Sequence, residues 1–126
     1  RFPTKDRFEE WKNSGVMYSE NKRTHQHMPH YFQFFEDFER NEQRFDIQHA
    51  AQHLVKPFII IQGTDDDAVK DKEAFLLNEW CKTSELVIME NANHTFGAKE
   101  PWTENGLPDQ LNKATSLATD FLKAHL

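Results

Sequence analysis

The stretch FIIIQG at Phe58–Gly63 decides the fold. A continuous apolar run that is rich in β-branched residues and ends in glycine is typical of a strand buried on both faces of a parallel sheet. A second such run, ELVIME at Glu85–Glu90, follows after the predicted helix Val69–Trp80. A last amphipathic helix covers Pro108–His125. Strand, helix, strand and helix form a βαβ unit with a right-handed crossover, so the predicted fold class is α/β.

Residues 1–54 have a different character, because they are rich in aromatic residues and histidine. Pro29 precedes a run in which Tyr31, Phe34, Phe35 and Phe38 recur at helical spacing, which predicts a helix from His30 with one aromatic stripe. The other elements predicted here are a short helix, two strands of a hairpin and a second short helix: Asp6–Lys12, Val16–Ser19, Thr24–Met28 and Ile47–Leu54. We therefore expect a mostly helical segment at 1–54, before the α/β segment at 55–126.

The composition of the 126 residues is that of a globular protein, with 37% hydrophobic and 29% charged residues. The formal net charge of −6 argues against nucleic-acid and anionic-membrane partners, which require a basic surface. A single cysteine excludes an internal disulfide and fits a reducing compartment, so we predict a cytoplasmic protein. No apolar run is long enough to span a bilayer. The chain opens Arg1-Phe2-Pro3 without an initiator Met, so we expect that something upstream has been removed.

Two loops at the predicted strand ends carry groups suited to catalysis. Residues 63–69 (GTDDDAV) offer carboxylates, and residues 91–97 (NANHTFG) offer a histidine. The carboxyl ends of adjacent parallel strands lie at one edge of the sheet, where functional groups gather. A carboxylate that orients an imidazole, and an imidazole that takes a proton from a nucleophile, are two members of an acyl-transfer triad.

The pattern Gly-x-x-Asp-x-x-Val at Gly63, Asp66 and Val69 resembles the acid loop of the α/β-hydrolase superfamily. The segment Asn93-His94-Thr95-Phe96, with His94 lying 28 positions after Asp66, is similar to the histidine loop of that family. The resemblance covers residues 55–126 and is nearest to dienelactone hydrolases and prolyl-oligopeptidase-type peptidases. It implies a triad in the order Ser, Asp, His, in which Asp66 and His94 are catalytic, with Asp67 as the reserve acid. Residues 1–54 would then resemble a cap segment.

The nucleophile of such a triad is missing from the sequence. No Gly-x-Ser-x-Gly occurs, and none of the four serines follows a strand in the setting of a nucleophile elbow. The leading hypothesis is therefore the C-terminal half of a serine hydrolase that acts on a small acyl substrate through an ester, thioester or peptide bond. Its partner would be the missing N-terminal half, the isolated chain would be inactive, and no cofactor is expected. The alternative is a stand-alone, non-catalytic βαβ binding or assembly domain, which a cooperatively melting monomer would favour. A homodimer through a strand edge would instead favour the hydrolase fragment.

Each candidate residue also has a simpler interpretation. Asp65, Asp66 and Asp67 could form a solvated turn that caps the next helix, and His94 could be a surface histidine. The spacing of the three aspartates does not fit a calcium loop. A competing metal site would use His25, His27 and His30, but no fourth ligand is obvious, and no metal is predicted.

Cys81 and the aromatic residues have structural and functional interpretations too. Cys81 could be proposed as a nucleophile, but it follows a helix at the far end from the loops and is expected to pack in the core. The aromatic stripe is most simply a packing face. Its functional interpretation is the wall of an acyl pocket, for which the predicted substrate-binding residues are Phe34, Phe35, Phe38 and Trp102.

Overall fold

The computed structural model describes residues 3–21 and 24–125. They form a mixed α/β structure with two small sheets, one an antiparallel pair of strands and the other a parallel pair. The chain divides into two compact units, residues 1–46 and residues 47–126. The elements in chain order are α1 Lys5–Ser14, β1 Val16–Glu20, β2 His27–Tyr31, α2 Gln33–Arg40, a 3-10 helix Glu42–Phe45, α3 Ile47–Gln52, β3 Phe58–Gly63, α4 Asp71–Trp80, β4 Ser84–Met89 and α5 Asp109–His125.

The antiparallel hairpin of the first unit corrects two predictions. Strand β2 pairs with β1 from Val16 opposite Tyr31 to Glu20 opposite His27, so the second strand lies three residues later than expected. The helix predicted from His30 is wrong at its start, because that residue and Tyr31 belong to β2 and helix α2 begins only at Gln33. Cross-strand pairing with residues distant in sequence outweighs the local helical spacing of the aromatic rings.

The core of the first unit is an aromatic cluster around Trp11, whose exposed fraction is 2%. Its ring packs edge-on against Phe32, with centroids 5.2 Å apart, and Phe8 packs against Phe35 at 4.7 Å. The indole Nε1 of Trp11 donates a hydrogen bond of 2.7 Å to the carbonyl oxygen of His30. This bond ties α1 to β2, because a buried indole N–H requires an acceptor.

The second unit contains the predicted βαβα order. Strands β3 and β4 are parallel and in register from Phe58 opposite Ser84 to Gly63 opposite Met89, which confirms both strands to within one residue. Helix α4 starts two residues later than expected, and helix α3, assigned above to the segment 1–54, lies in this unit. The core consists of small and apolar side chains near the strand ends: Ile61, Val87, Met89, Ala92, Phe96, Ala114 and Leu117.

Helix α5 covers the parallel pair of strands. It has 17 residues, contacts β3, and buries Ala114 and Phe121 while leaving Leu122 half exposed. This one-sided burial agrees with the amphipathic pattern of its sequence. Among residues 3–21 and 24–125, no helix combines the length and the apolar character that a membrane crossing requires.

Candidate active site at the carboxyl ends of the parallel strands

The two predicted loops meet because the backbone at Gly63 has no side chain. A Cβ at this position would clash with the carbonyl oxygen of Ala92 in the loop after β4. The close approach allows the backbone N–H of Asp65 to donate to that same carbonyl at 3.0 Å. The hydroxyl of Thr64 accepts a 2.8 Å hydrogen bond from the backbone N–H of Asn91. Glycine is thus required where one loop passes directly against the other.

Asp66 is held by its own loop. Its Oδ1 atom accepts hydrogen bonds of 2.8 Å from the backbone N–H groups of Ala68 and Val69. The side chain therefore caps a local turn and not the next helix, whose N-cap residue is Lys70 and has no side-chain cap hydrogen bond. However, the cap occupies only one carboxylate oxygen, so the other, Oδ2, is directed away from the turn.

The second oxygen of Asp66 binds His94. Its Oδ2 atom lies 2.9 Å from Nδ1 of the imidazole. The carboxylate side chain is 8% exposed and the imidazole 58% exposed, so the pair runs from a buried acid to an accessible ring. An ionised carboxylate can only accept, hence Nδ1 carries the proton and, in the neutral ring, Nε2 carries the lone pair. In the described part of the chain, Nε2 of His94 has no hydrogen-bond partner.

The surroundings of Asp66 keep it ionised. The pKa of its carboxyl group is lowered from 3.8 to about 2, first by the hydrogen bond from the Val69 backbone and then by those from His94 and Ala68. Burial of the carboxyl group raises its pKa, but this effect is outweighed by the hydrogen bonds. A permanently ionised acid beside Nδ1 would stabilise the imidazolium that forms when His94 accepts a proton.

A second turn holds the histidine loop. The Oδ1 atom of Asn93 accepts hydrogen bonds from the backbone N–H groups of Thr95 at 3.1 Å and Gly97 at 2.9 Å. The backbone then adopts positive φ at Phe96 and Gly97, with values of 52° and 85°. Such a tight turn fixes the direction in which the residue after Asn93 leaves the strand end. The loop thus presents His94 with little freedom of its backbone.

Gln62 is a functional candidate that the sequence did not reveal. Its side chain is buried, with 7% exposed, at the end of β3. Its Nε2 group donates to the carbonyl of Gly63 at 3.0 Å, to that of Val69 at 3.1 Å, and more weakly to Oδ2 of Asp66 at 3.4 Å. A polar residue inside an otherwise apolar strand was the available signal, because buried amides need partners.

The neighbouring aspartates do not join the pair. The Oδ1 atom of Asp67 lies 3.2 Å from Nζ of Lys70, and its side chain is fully exposed. Asp65 is also exposed, and its Oδ1 accepts a hydrogen bond of 3.2 Å from the hydroxyl of Thr64. Of the three adjacent carboxylates, the structure therefore places Asp66 against His94.

The predicted pocket residues lie in both units. Phe34 is 66% exposed and, with Tyr31, lines an open groove of about 430 Å³ on the first unit. Phe35 packs in the aromatic cluster, and Phe38 stacks on the ring of Phe45 at 6.2 Å. The aromatic residues of the predicted stripe thus have different surroundings and do not form one continuous wall. Trp102 is half-buried in the second unit, where its Nε1 donates to the carbonyl of Gly106 at 2.8 Å.

The alternative histidine and cysteine sites have other surroundings. Nε2 of His30 lies 2.7 Å from the hydroxyl of Ser19, whereas Nδ1 of His25 lies 2.9 Å from a Glu20 carboxylate oxygen. Within the residues that the structure describes, no three His, Cys, Asp or Glu side chains are grouped so as to hold a metal ion. Cys81 is 1% exposed at the end of α4, with Sγ 3.4 Å from the Thr83 hydroxyl, as expected for a packing cysteine.

The sequence was compared with models of known protein families and with curated proteins, and it matches none of them. The interpretation of the Asp66–His94 pair therefore depends on its geometry and its chemistry.

Proposed function

We propose that this chain supplies the acid and the general base of a Ser-His-Asp triad, as the C-terminal part of an α/β-hydrolase. The observation that carries the proposal is the 2.9 Å contact between Oδ2 of Asp66 and Nδ1 of His94, made by two loops at the carboxyl ends of adjacent parallel strands. Asp66 would orient the ring and stabilise its cation, while Nε2 of His94 would accept a proton from the nucleophile and return it to the leaving group.

The exposure of the two groups agrees with these roles. An orienting acid works best when water does not compete for it, and Asp66 is almost completely buried. A general base must reach a substrate or nucleophile, and the His94 ring is more than half exposed. The reaction class that fits the pair is acyl transfer from an ester, thioester or peptide bond to water.

The nucleophile would come from a segment outside these 126 residues. None of the serines in the chain follows the Gly-x-Ser-x-Gly pattern, and no described side chain is hydrogen-bonded to Nε2 of His94. The parallel pair also has room for a neighbour. The backbone N–H of Phe58 donates to Thr83, the residue before β4, and that of Thr64 donates to Met89 in β4. Because the N–H groups of successive residues in a strand alternate in direction, those of Ile59 and Ile61 point to the opposite edge of β3. A further parallel strand at this edge would carry the segment with the nucleophile.

The test compares the 126-residue chain alone with the same chain joined to the segment encoded before Arg1. We expect the isolated chain not to hydrolyse p-nitrophenyl esters, and the longer chain to do so and to react with a fluorophosphonate at one serine. In the longer chain, His94→Gln should abolish both reactions, whereas His53→Gln, a change at another exposed histidine, should preserve them. Absence of a serine nucleophile from the longer chain, or hydrolysis by the isolated chain that requires His94, would reject the proposal.

A further inference from the structure

The buried amide of Gln62 makes contacts that no other side chain of the site makes. It lies at the end of β3, two residues before the loop that carries Asp66 begins to turn. All three groups around its Nε2 atom are acceptors: the carbonyls of Gly63 and Val69, and Oδ2 of Asp66. Two carbonyls and a carboxylate cannot donate, so the NH2 group and not the oxygen of the amide must face them.

These contacts close the acid loop into a ring. The backbone N–H of Val69 binds Oδ1 of Asp66, and its carbonyl oxygen accepts from Gln62 at 3.1 Å. The backbone N–H and the backbone carbonyl of Val69 are thus both hydrogen-bonded to side chains of the site. Since Gln62 starts from the rigid end of a strand, the ring anchors the carboxylate to the sheet rather than to the exposed loop alone.

The third contact acts on the oxygen that binds the histidine. Oδ2 of Asp66 accepts from Nδ1 of His94 at 2.9 Å and lies 3.4 Å from Nε2 of Gln62. Because the amide of Gln62 donates to Oδ2 from one side, the orientation of the carboxylate is fixed, and the other side of Oδ2 faces the imidazole of His94. Rotation of the carboxylate would break the contact with the amide and the one with the histidine together.

We propose that Gln62 is a positioning residue of the Asp66–His94 pair: its amide fixes the orientation of Oδ2 and thereby keeps the proton of His94 on Nδ1. The inference deepens the proposed function and rests on it for its importance in catalysis. Its physical content is a hydrogen-bond geometry, which can be measured in the 126-residue chain whether or not a serine nucleophile exists.

The experiment measures the tautomer of His94 by NMR of histidine-labelled protein, at a pH where the ring is neutral. In the unmodified chain we expect the Nδ1–H form. Gln62→Met keeps the size and apolar stem of the side chain but removes the amide, so the carboxylate can rotate and the Nε2–H population should rise at least about fivefold. The matched control is Gln110→Met, which removes the 3.2 Å hydrogen bond that the side-chain amide donates to the Glu90 carbonyl and should leave the tautomer unchanged.

A second variant separates positioning from folding. In Gln62→Glu a carboxyl group replaces the amide beside Asp66, with His94 and Lys70 as the other ionisable neighbours. At a pH where the imidazole is neutral, the carboxyl group of this Glu is ionised, so it cannot donate to Oδ2 and it repels Asp66. The Nδ1–H form should therefore lose population in this variant at least as strongly as in Gln62→Met.

The outcomes distinguish the two proposals. If Gln62→Met lowers the melting temperature while His94 stays in the Nδ1–H form, the amide only stabilises the fold and the positioning role is rejected. The same conclusion follows if His94 stays in the Nδ1–H form in Gln62→Glu. A confirmed effect on the tautomer together with an absent serine nucleophile would keep the role of Gln62 and reject the hydrolase.

Discussion

Two histidine–carboxylate pairs in this protein have the same length but different surroundings. In the hairpin of the first unit, Nδ1 of His25 lies 2.9 Å from Glu20, and the two side chains are 80% and 52% exposed. At the strand ends of the second unit, Nδ1 of His94 also lies 2.9 Å from its carboxylate, but Asp66 is only 8% exposed. A short distance by itself therefore does not define a site.

The difference lies in what else the carboxylate contacts. Asp66 also accepts from two backbone N–H groups and lies 3.4 Å from the buried amide of Gln62. Its position is therefore fixed by contacts other than the one with His94. Among the described residues, the carboxylate of Glu20 is hydrogen-bonded to His25, and both side chains are exposed. Exposed pairs of this kind contribute little, because water and salt screen the charges and the side chains lose conformational freedom.

The largest effect is expected from Asp66→Asn. The Asn carbonyl oxygen can still accept from Ala68 and Val69, but its NH2 group would then face Nδ1 of His94 and move the imidazole proton to Nε2. In the longer, active chain, the wrong tautomer should lower kcat by about four orders of magnitude. The measurement is ester hydrolysis, with Asp67→Asn as the control because that side chain is exposed. Equal activity of the two variants would contradict the pairing.

The next effect concerns the backbone contact that brings the loops together. Gly63→Ala should destabilise the second unit by about 3 kcal/mol, because the new Cβ meets the Ala92 carbonyl and the backbone must move. Gly15→Ala is the matched control in the first unit. There φ is 74° but no atom lies within 4 Å, so only the cost of the left-handed conformation remains, about 1 kcal/mol. Residue-resolved amide hydrogen exchange measures both units. Equal costs at the two glycines would show that the loops do not depend on this contact.

A smaller effect on stability is expected from lowering the pH. The pKa of Asp66 is lowered from 3.8 to about 2, so its contribution to stability is complete above pH 3.8, decreases as the pH falls and is lost below about pH 2. The difference in melting temperature between the unmodified chain and Asp66→Asn should therefore narrow across this interval. A difference that stays constant from pH 5 to pH 2 would mean that the carboxylate is not stabilised by its loop.

The smallest effect is expected from Glu20→Gln, which removes the charge of the exposed pair. We expect the free energy of unfolding to change by less than about 0.5 kcal/mol, and the change to vanish in high salt. Urea denaturation at low and high ionic strength checks this. A loss comparable to that of Gly63→Ala would show that the exposed pair is more than a surface contact.

The sequence allowed much of the second unit to be predicted but less of the first. The strand Phe58–Gly63 was confirmed without a shift, because a β-branched run that ends in Gly carries its own signal. In the hairpin, by contrast, Tyr31 is paired with Val16. The local sequence around either residue does not show that the two segments pair. The aromatic spacing predicted a helix from His30, which is wrong for His30 and Tyr31 but correct for Phe34, Phe35 and Phe38 in α2.

The sequence by itself determined which elements form the second unit, and that a carboxylate loop and a histidine loop follow adjacent strands. Local apolar patterns and turn residues suffice for that, since they act over a few residues. The Gly-x-x-Asp-x-x-Val pattern favoured Asp66 among the three aspartates, but only the tertiary structure decided that its carboxylate meets His94 and that Gln62 supports it. Three adjacent aspartates have the same chemistry, and the selection among them depends on a turn and on a contact 28 positions along the chain.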